Sequence, residues 1–290
     1  TLGVPTVAAR TIHSAALKQL LFFWPTVFGG RTPDLITTKG SFLAEAVRRA
    51  GLTGEIATHN RELMRDIATE IEWAKVLEIS PENYQQEAIA NNRLVRLPNS
   101  KGDSENLSMI AQVYEAYESL KRQERTLDFE DLLLLTTAMI ENEAQVRERI
   151  HDQYRYFTVD EYQDISPLQQ RLIDAWLGSR KEICVVGDPA QTIYTFAGAT
   201  PSYLLGFTNR FPEAEVIRLS TGYRSTPEIL FTANALLRSN RMGHELAPVN
   251  DHGNQPVLTE YKTEGQEAVG VTNQITELIS QGEGPENIAV

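Results

Sequence analysis

Hydrophobic and polar positions follow two different periods along this chain. From Ser41 to about Tyr154, apolar residues recur every three or four positions, as at Leu63 and Ile67 within Asn60–Leu77. This spacing predicts a block of amphipathic helices. After Tyr154, short apolar runs alternate with helical patterns. The second pattern predicts strands joined by helices, and therefore a parallel sheet covered by helices.

The apolar runs and the positions of proline and glycine place the predicted elements. The main predicted strands are Tyr156–Val159, Ile183–Val186, Glu215–Leu219 and Val257–Tyr261. The predicted helices between and after them are Pro167–Leu177, Pro201–Phe211, Pro227–Ser239 and Glu264–Ser280. A strand is also predicted at Val7–Ile12, and another from Ile288. The pattern predicts an α/β domain that the helical block interrupts, followed by a second α/β unit.

Composition narrows the class of protein. With 41% hydrophobic and 23% charged residues among 290, the chain has the balance of a globular protein, and no apolar run is long enough to cross a membrane. The net charge of −12 argues against a generic basic nucleic-acid binder, although a local channel or aromatic stacking still allows single strands to bind. The single cysteine, Cys184, is predicted to be a buried thiol in a reducing compartment.

Two adjacent carboxylates follow the predicted strand that ends at Val159. Asp160 stands where a strand-end carboxylate can hold Mg²⁺, and Glu161 can accept a proton from an attacking water. Taken alone, such a pair is more often two surface acids than a catalytic site. No phosphate-binding loop of the form G-x-x-x-x-G-K-[ST] occurs in the sequence. The pair therefore predicts half of a nucleotide site.

Two later stretches of the sequence place further candidate binding residues directly after predicted strands. Gln191 follows the next predicted strand and can hydrogen-bond a terminal phosphate or orient a water, since ligands of such sheets lie at the carboxyl ends of the strands. Tyr194 and Phe196 can stack on bases, although two such aromatics more often pack in a core. Tyr223 can also stack on a base, and Arg224 can reach a phosphate through two hydrogen bonds.

Taken together, in this order and spacing, these stretches resemble the UvrD/Rep/PcrA family of superfamily 1 DNA helicases. Asp160–Asp164 resembles motif II (Walker B), Val186–Tyr194 resembles motif III, and Gly222–Thr226 resembles motif IV. Arg10–Ser14 resembles the family's Thr-Phe-His-Ser motif on the DNA path. Leu127–Leu133 resembles the Asp-Phe-x-Asp-Leu-Leu stretch of the helical insertion. The resemblance covers the whole chain.

The chain departs from the family pattern at three places within these motifs: Pro189-Ala190, where the family often has more acids, Ala197 and Gly222. Ala197 stands where the family usually has an arginine, so one DNA or interdomain contact of the family is not expected here. Phe196 keeps the stacking ring of the motif. A polar residue such as asparagine usually precedes the tyrosine of motif IV, where this chain has Gly222. These choices resemble an actinobacterial branch of the family.

The resemblance implies an α/β fold class: a RecA-like (P-loop NTPase) parallel sheet with a large all-helical insertion and the start of a second RecA-like domain. The implied segments are 1–13 and 154–219 for domain 1A, 14–153 for helical subdomain 1B, and 220–290 for the start of domain 2A. The phosphate loop would lie upstream of Thr1, and the 2B subdomain and later motifs downstream of Val290. The 290 residues are therefore expected to be a fragment without ATPase or unwinding activity of its own.

The resemblance also implies roles for individual residues, with ATP and Mg²⁺ as cofactors. Asp160 would coordinate Mg²⁺, Glu161 would activate the attacking water, and Gln191 would sense the γ-phosphate. Tyr223 would stack on adenine, and Arg224 would contact the γ-phosphate. The residues implied to lie along single-stranded DNA are Thr11, His13, Tyr194 and Phe196.

The implied protein is an ATP-driven 3′→5′ DNA helicase or translocase with a role in DNA repair. Its partners would be single-stranded DNA and junctions of single- and double-stranded DNA, without a membrane, in the cytoplasm of a bacterium and associated with the nucleoid. Two alternatives stay open. A helicase–nuclease subunit of the AddA/RecB type shares these motifs and would carry a downstream nuclease domain. A degenerate homologue would only bind DNA or partners, although Asp160, Glu161, Gln191 and Arg224 are all present.

Overall fold

The computed structural model describes residues 7–52, 61–93, 97, 102–240 and 243–290. The chain divides into two units, Thr1–Glu215 and Val216–Val290. Both units combine helices with short pairs of parallel strands. Within the described ranges, no helix is both long and apolar enough to cross a membrane. The predicted segment boundaries at 13/14, 153/154 and 219/220 stay predictions.

Helices make up most of the first unit. They are Ile12–Val27 (α1), Gly40–Arg49 (α2), Arg61–Val76 (α3), Pro81–Ala90 (α4), Asp103–Glu124 (α5), Phe129–Asn142 (α6), Ala144–Gln153 (α7), Pro167–Leu177 (α8), Ser202–Leu205 (α9) and Phe207–Arg210 (α10). Local capping explains two of the starts: Asp128 and Asp131 form a capping box on α6, and Ser166 and Gln169 form one on α8. Gly206 separates α9 from α10, where one helix was predicted.

The strands of this unit are short and parallel. Asp34–Leu35 (β1) pairs with Thr126–Leu127 (β2), and Phe157–Val159 (β3) pairs with Ile183–Val185 (β4). Helix α8 lies between β3 and β4 in the sequence, as expected of parallel neighbours. The predicted parallel pairing of these two strands is confirmed, while the pair formed by β1 and β2 was not predicted.

Two hydrophobic cores hold the first unit together. One lies among α2 to α5 and includes Ile67, Tyr84 and Ile110, all fully buried. The other lies between α1, α6, α7, α8 and one face of the β3–β4 pair, and it includes Leu132 and Tyr162. Because the second core packs beneath β3 and β4, it fixes the ends of the strands where the candidate site begins.

A buried group of opposite charges joins three helices of the first unit. This lysine–carboxylate cluster consists of Lys75 on α3, Glu118 and Lys121 on α5, Asp128 at the start of α6, and Asp131 on α6. Lys75 Nζ lies 2.7 Å from Asp128, and Lys121 Nζ lies 2.8 Å from the same carboxylate. Burial alone would raise the pKa of Asp128, but the two ammonium groups outweigh it and hold that pKa well below its usual range.

The second unit is smaller and mostly exposed. Its strands Thr221–Gly222 (β5) and Ala247–Pro248 (β6) are parallel, and its helices are Pro227–Asn240 (α11) and Glu264–Ser280 (α12). Leu230 of α11 packs beneath β5. Helix α12 begins after Thr263, whose side chain accepts the Gln266 backbone N–H.

Several predicted strands are absent, and exposure gives the reason. The runs Glu215–Leu219 and Val257–Tyr261, and the end of the chain from Ile288, have irregular backbone. Leu219 is 82% exposed and Leu258 is 99% exposed, so these apolar residues have no neighbouring strand among the described residues. β-propensity without a partner strand does not make a strand.

Two predictions near the sheet and the first helix are also wrong. Cys184 is exposed, because it alternates with Ile183 and Val185 and lies on the face of β4 that no helix covers among the described residues. The segment predicted as a strand at Val7–Ile12 is irregular over its first residues, and α1 begins at its end because Thr11 caps the helix.

Candidate functional site

The predicted acidic pair lies directly after β3. The side chains of Asp160 and Glu161 are both exposed at the carboxyl end of the strand. Asp160 Oδ1 accepts the backbone N–H of Glu161 at 3.0 Å. Glu161 has a left-handed backbone conformation, with φ 52° and ψ 40°, which costs a residue with a side chain about 1–2 kcal/mol. Such strain is often retained at functional sites, where it aims a side chain.

Gln163 connects this acidic pair to the segment that follows β4. Its side chain is only 1% exposed. Its Nε2 donates to Glu161 Oε2 at 2.7 Å, and its Oε1 accepts the backbone N–H of Asp188 at 3.0 Å. Gly187 allows this approach, since a Cβ there would lie 2.6 Å from Gln163 Oε1. Gln163 therefore fixes the direction of the Glu161 carboxylate. Its role was missed in the sequence, where a glutamine within a motif gives no signal of burial.

Gln191 lies in the 3-10 turn that follows β4. Asp188 organises this turn: its Oδ1 accepts the backbone N–H of Ala190 at 2.9 Å, and its Oδ2 accepts Gln191 Nε2 at 3.0 Å. The Gln191 side chain is exposed. The backbone N–H of the same Asp188 donates to Gln163 Oε1, so one short chain of hydrogen bonds joins Glu161 to Gln191. The structure thus brings Asp160, Glu161 and Gln191 to one edge of the β3–β4 pair.

The aromatic pair lies after the Gln191 turn. The rings of Tyr194 and Phe196 have centroids 6.3 Å apart, with an angle of 53° between their planes. Tyr194 is 50% exposed and Phe196 is 54% exposed. Core packing, the more common role of two such aromatics, therefore does not apply here. Two half-exposed rings provide faces on which nucleic-acid bases can stack.

The residues of the Thr-Phe-His-Ser-like motif lie at the start of α1. Thr11 is exposed and its Oγ1 accepts the Ser14 backbone N–H at 3.2 Å, so it acts as the helix cap. His13 packs edge-on against Phe129, with ring centroids 5.8 Å apart. Burial, together with the nearby charge of Lys39, lowers the pKa of His13. The neutral imidazole is therefore the main form of His13 at neutral pH.

Tyr223 and Arg224 lie in the second unit, directly after β5, and both are exposed. Asn250 Nδ2 donates to the backbone carbonyl of Tyr223 at 3.0 Å and so supports the loop. Gly222 packs closely: a Cβ there would lie 2.7 Å from Leu230 Cδ1, which gives a physical reason for glycine at this position. The approach of Tyr223 and Arg224 to the acidic pair stays a prediction.

A second carboxylate group in the described residues also has the spacing of metal ligands. Ligand atoms of Glu118, Asp128 and Asp131 lie within 4.8 Å of one another. However, Lys75 and Lys121 already contact these carboxylates, and Asp128 and both lysines are buried. A cation would have to displace two ammonium groups, so the cluster does not fit a metal site. Asp160 fits better, because its carboxylate is exposed and only its Oδ1 is engaged, by a neighbouring N–H, among the described residues.

Known proteins are similar to this chain. The profile of the UvrD/REP helicase N-terminal domain matches residues 4–212. The ATP-dependent DNA helicase UvrD2 of Mycobacterium tuberculosis is 42% identical over 296 residues, which cover 99% of this chain and 40% of that protein. The ATP-dependent DNA helicase PcrA of Staphylococcus aureus is 34% identical over 184 residues, which cover 63% of this chain and 25% of that protein. The mycobacterial match is consistent with the predicted actinobacterial branch.

Proposed function

Because the chain belongs to the UvrD/Rep helicase family, we propose that it is part of an ATP-dependent DNA helicase that moves 3′→5′ along single-stranded DNA. The observation that carries this proposal is the hydrogen-bonded link from Glu161 through Gln163 and Asp188 to Gln191. A link of this kind lets a group that activates water and a group that senses phosphate respond to the same ligand.

The acidic edge of the sheet would supply some of the groups that ATP hydrolysis needs. Asp160 would hold Mg²⁺, and Glu161 would accept a proton from the attacking water. Gln191 would hydrogen-bond the γ-phosphate. Bound Mg²⁺ would supply neutralising charge for the phosphate oxygens. Tyr223 and Arg224 of the second unit would contact the adenine and the γ-phosphate.

The exposed aromatic pair supports a single-stranded DNA site. Tyr194 and Phe196 would stack on bases, a mode of binding that needs no large basic patch and so agrees with a net charge of −12. Thr11 and His13 would lie further along the strand. The substrates would be single-stranded DNA and single/double-strand junctions, and the protein would serve DNA repair in the bacterial cytoplasm, associated with the nucleoid.

The 290 residues alone are proposed to be inactive. They contain no G-x-x-x-x-G-K-[ST] loop, and without its lysine and backbone N–H groups the phosphates of ATP are held weakly. Purified chain of this length is expected to hydrolyse ATP no faster than a blank containing buffer alone. Robust DNA-stimulated turnover by this polypeptide would overturn the proposal of inactivity.

The main test uses Glu161→Gln in the full-length protein that contains these residues. The substitution keeps the shape of the side chain and removes its capacity to take a proton. ATP binding is expected to stay nearly unchanged, while DNA-stimulated turnover falls by about 10²–10⁴-fold. Glu115→Gln is the matched control, since Glu115 is an exposed glutamate paired only with Arg122 among the described residues. Turnover near the wild-type rate would show that Glu161 is not the base.

A further inference from the structure

Arg93 reaches the aromatic pair from the helical part of the first unit. It follows α4 in the sequence, and its Nη1 donates to the backbone carbonyl of Phe196 at 3.0 Å. The two residues are 103 positions apart. The segment that carries the aromatic pair is therefore held by a side chain from a distant part of the chain.

The Arg93 guanidinium is itself held on two other sides. Its Nε donates to Glu70 at 3.1 Å and its Nη2 donates to the same carboxylate. The guanidinium carbon lies 4.7 Å from the centre of the Trp73 ring. Glu70 is only 5% exposed and also accepts the Tyr84 hydroxyl at 2.8 Å. A two-bond Arg–carboxylate pair with a cation–π contact fixes the direction of the remaining N–H.

A second contact places the same segment against helix α3. Gly198 has φ +93°, and a Cβ at this position would lie 2.5 Å from Val76 Cγ2. The backbone after Phe196 thus packs directly on the helix that carries Glu70 and Trp73. The Phe196 ring, by contrast, stays 54% exposed. The contacts restrain the backbone of the segment and leave its aromatic faces open.

We propose that Arg93 is a positioning residue for single-stranded DNA. It holds the Phe196 backbone against α3, and this presents the Tyr194 and Phe196 rings in a fixed arrangement to the bases. The inference rests on the proposed function, in which this pair stacks on DNA. Ordering the rings before binding removes part of the entropy cost of association. Lysine would not replace Arg93, because a single ammonium group cannot make these contacts in the planar geometry of a guanidinium.

The test measures how tightly the full-length protein binds a single-stranded oligothymidylate that carries a fluorescent adenine analogue. Arg93→Gln is expected to weaken binding about tenfold, the size expected from losing the stacking of one base, and to reduce the change in analogue fluorescence that reports stacking. Arg93→Lys keeps a cation near Trp73 and is expected to fold, yet to show most of the same loss. Wild-type affinity in both variants would overturn the proposal.

Arg171→Gln is the matched control. Arg171 contacts Glu78, just after α3, and Glu141 on α6, so it also pairs with two regions of the first unit. It makes no contact with the Tyr194–Phe196 segment among the described residues. Its loss is expected to leave DNA affinity and the fluorescence change as in the wild type. An equal loss in this control would show a general effect of removing an ion pair and would overturn the positioning role.

A double-mutant cycle separates positioning from a general structural effect. If Arg93 acts through the aromatic pair, Arg93→Gln has no further effect on DNA affinity in a background that carries both Tyr194→Ala and Phe196→Ala, whereas independent effects add. Additive losses would overturn the inference. If Phe196→Ala and Tyr194→Ala both leave affinity unchanged, the proposed stacking fails and this inference fails with it. If they weaken binding and the Arg93 variants do not, only the positioning role fails.

Discussion

The lysine–carboxylate cluster and the acidic pair are two groups of carboxylates in opposite situations. In the cluster, Asp128 is fully buried and contacts both Lys75 and Lys121. In the acidic pair, Asp160 and Glu161 are exposed, and the Glu161 carboxylate receives a hydrogen bond from Gln163. By the distances between its carboxylates alone, the cluster resembles a metal site more closely than the acidic pair does.

The difference between the two groups lies in what remains available to a ligand. The carboxylates of the cluster are each paired with a lysine, and these ion pairs join α3, α5 and α6, so they serve the fold. The acidic pair is oriented from one side only, so its carboxylates can still meet a cation or a water. Whether carboxylates are already paired with cations, more than the distance between them, distinguishes the structural cluster from the proposed catalytic pair.

The largest expected effect tests the structural side of the comparison. Lys75→Met leaves three carboxylates around Lys121 alone, in a buried site. Removing one partner of a buried charge group is expected to lower the free energy of unfolding by about 3–5 kcal/mol. Urea unfolding followed by circular dichroism measures the change.

Arg122→Met provides the control for this substitution. Arg122 lies one position after Lys121 and pairs with Glu115, and both side chains are exposed. Loss of this surface pair is expected to change the free energy of unfolding by less than about 1 kcal/mol. If both variants lose the same small amount, the cluster is not structural and the comparison with the acidic pair breaks down.

The second prediction concerns the orientation of the acidic pair. Gln163→Glu keeps an oxygen that can accept the Asp188 N–H but replaces the amide that donates to Glu161 with a negative oxygen. The Glu161 carboxylate is expected to move away, which lowers ATP turnover of the full-length protein about ten- to a hundredfold. The KM for ATP is expected to change little, since the groups that bind the nucleotide are retained.

Gln170→Glu is the matched substitution at a site without a predicted catalytic role. Gln170 is also a buried glutamine, and its Nε2 likewise donates to a carboxylate, that of Asp174, at 2.7 Å. It is therefore expected to disturb its surroundings as much while leaving turnover close to that of the wild type. Equal losses of turnover in the two variants would mean that Gln163 acts only through stability.

The parts of the fold and site that sequence reasoning predicted depend on local signals. Helices Pro167–Leu177 and Glu264–Ser280 were predicted with the observed bounds, because Ser166 and Thr263 mark their starts. The place of the acidic pair at a strand end was predicted in the same way. Each of these features depends on residues within a few positions of one another.

The features that were missed join residues far apart in the sequence. Lys75 meets Asp128 across 53 positions, and Arg93 meets Phe196 across 103. No local pattern marks such pairs, because Lys75, Asp128 and Arg93 each resemble a surface charge when the sequence is read alone. The exposed Cys184 was missed for a related reason: an apolar run indicates a strand but does not say which of its faces is covered.

The smallest expected effect concerns His13, a predicted DNA contact that is half-buried near the start of α6. Its ring packs on Phe129, next to Glu130, which pairs with Lys39. Burial and Lys39 lower the pKa of His13 in the folded state. Just below the usual histidine pKa of about 6.5, the unfolded chain therefore binds more protons than the folded chain. The stabilisation from the neutral ring is therefore complete above that pH and is lost as the pH falls towards the lower pKa of the folded state. Urea unfolding measured between neutral and mildly acidic pH is expected to give a free energy of unfolding that falls as the pH is lowered, and His13→Asn is expected to make this fall less steep. If His13→Asn leaves the pH dependence unchanged, burial does not control the protonation of His13.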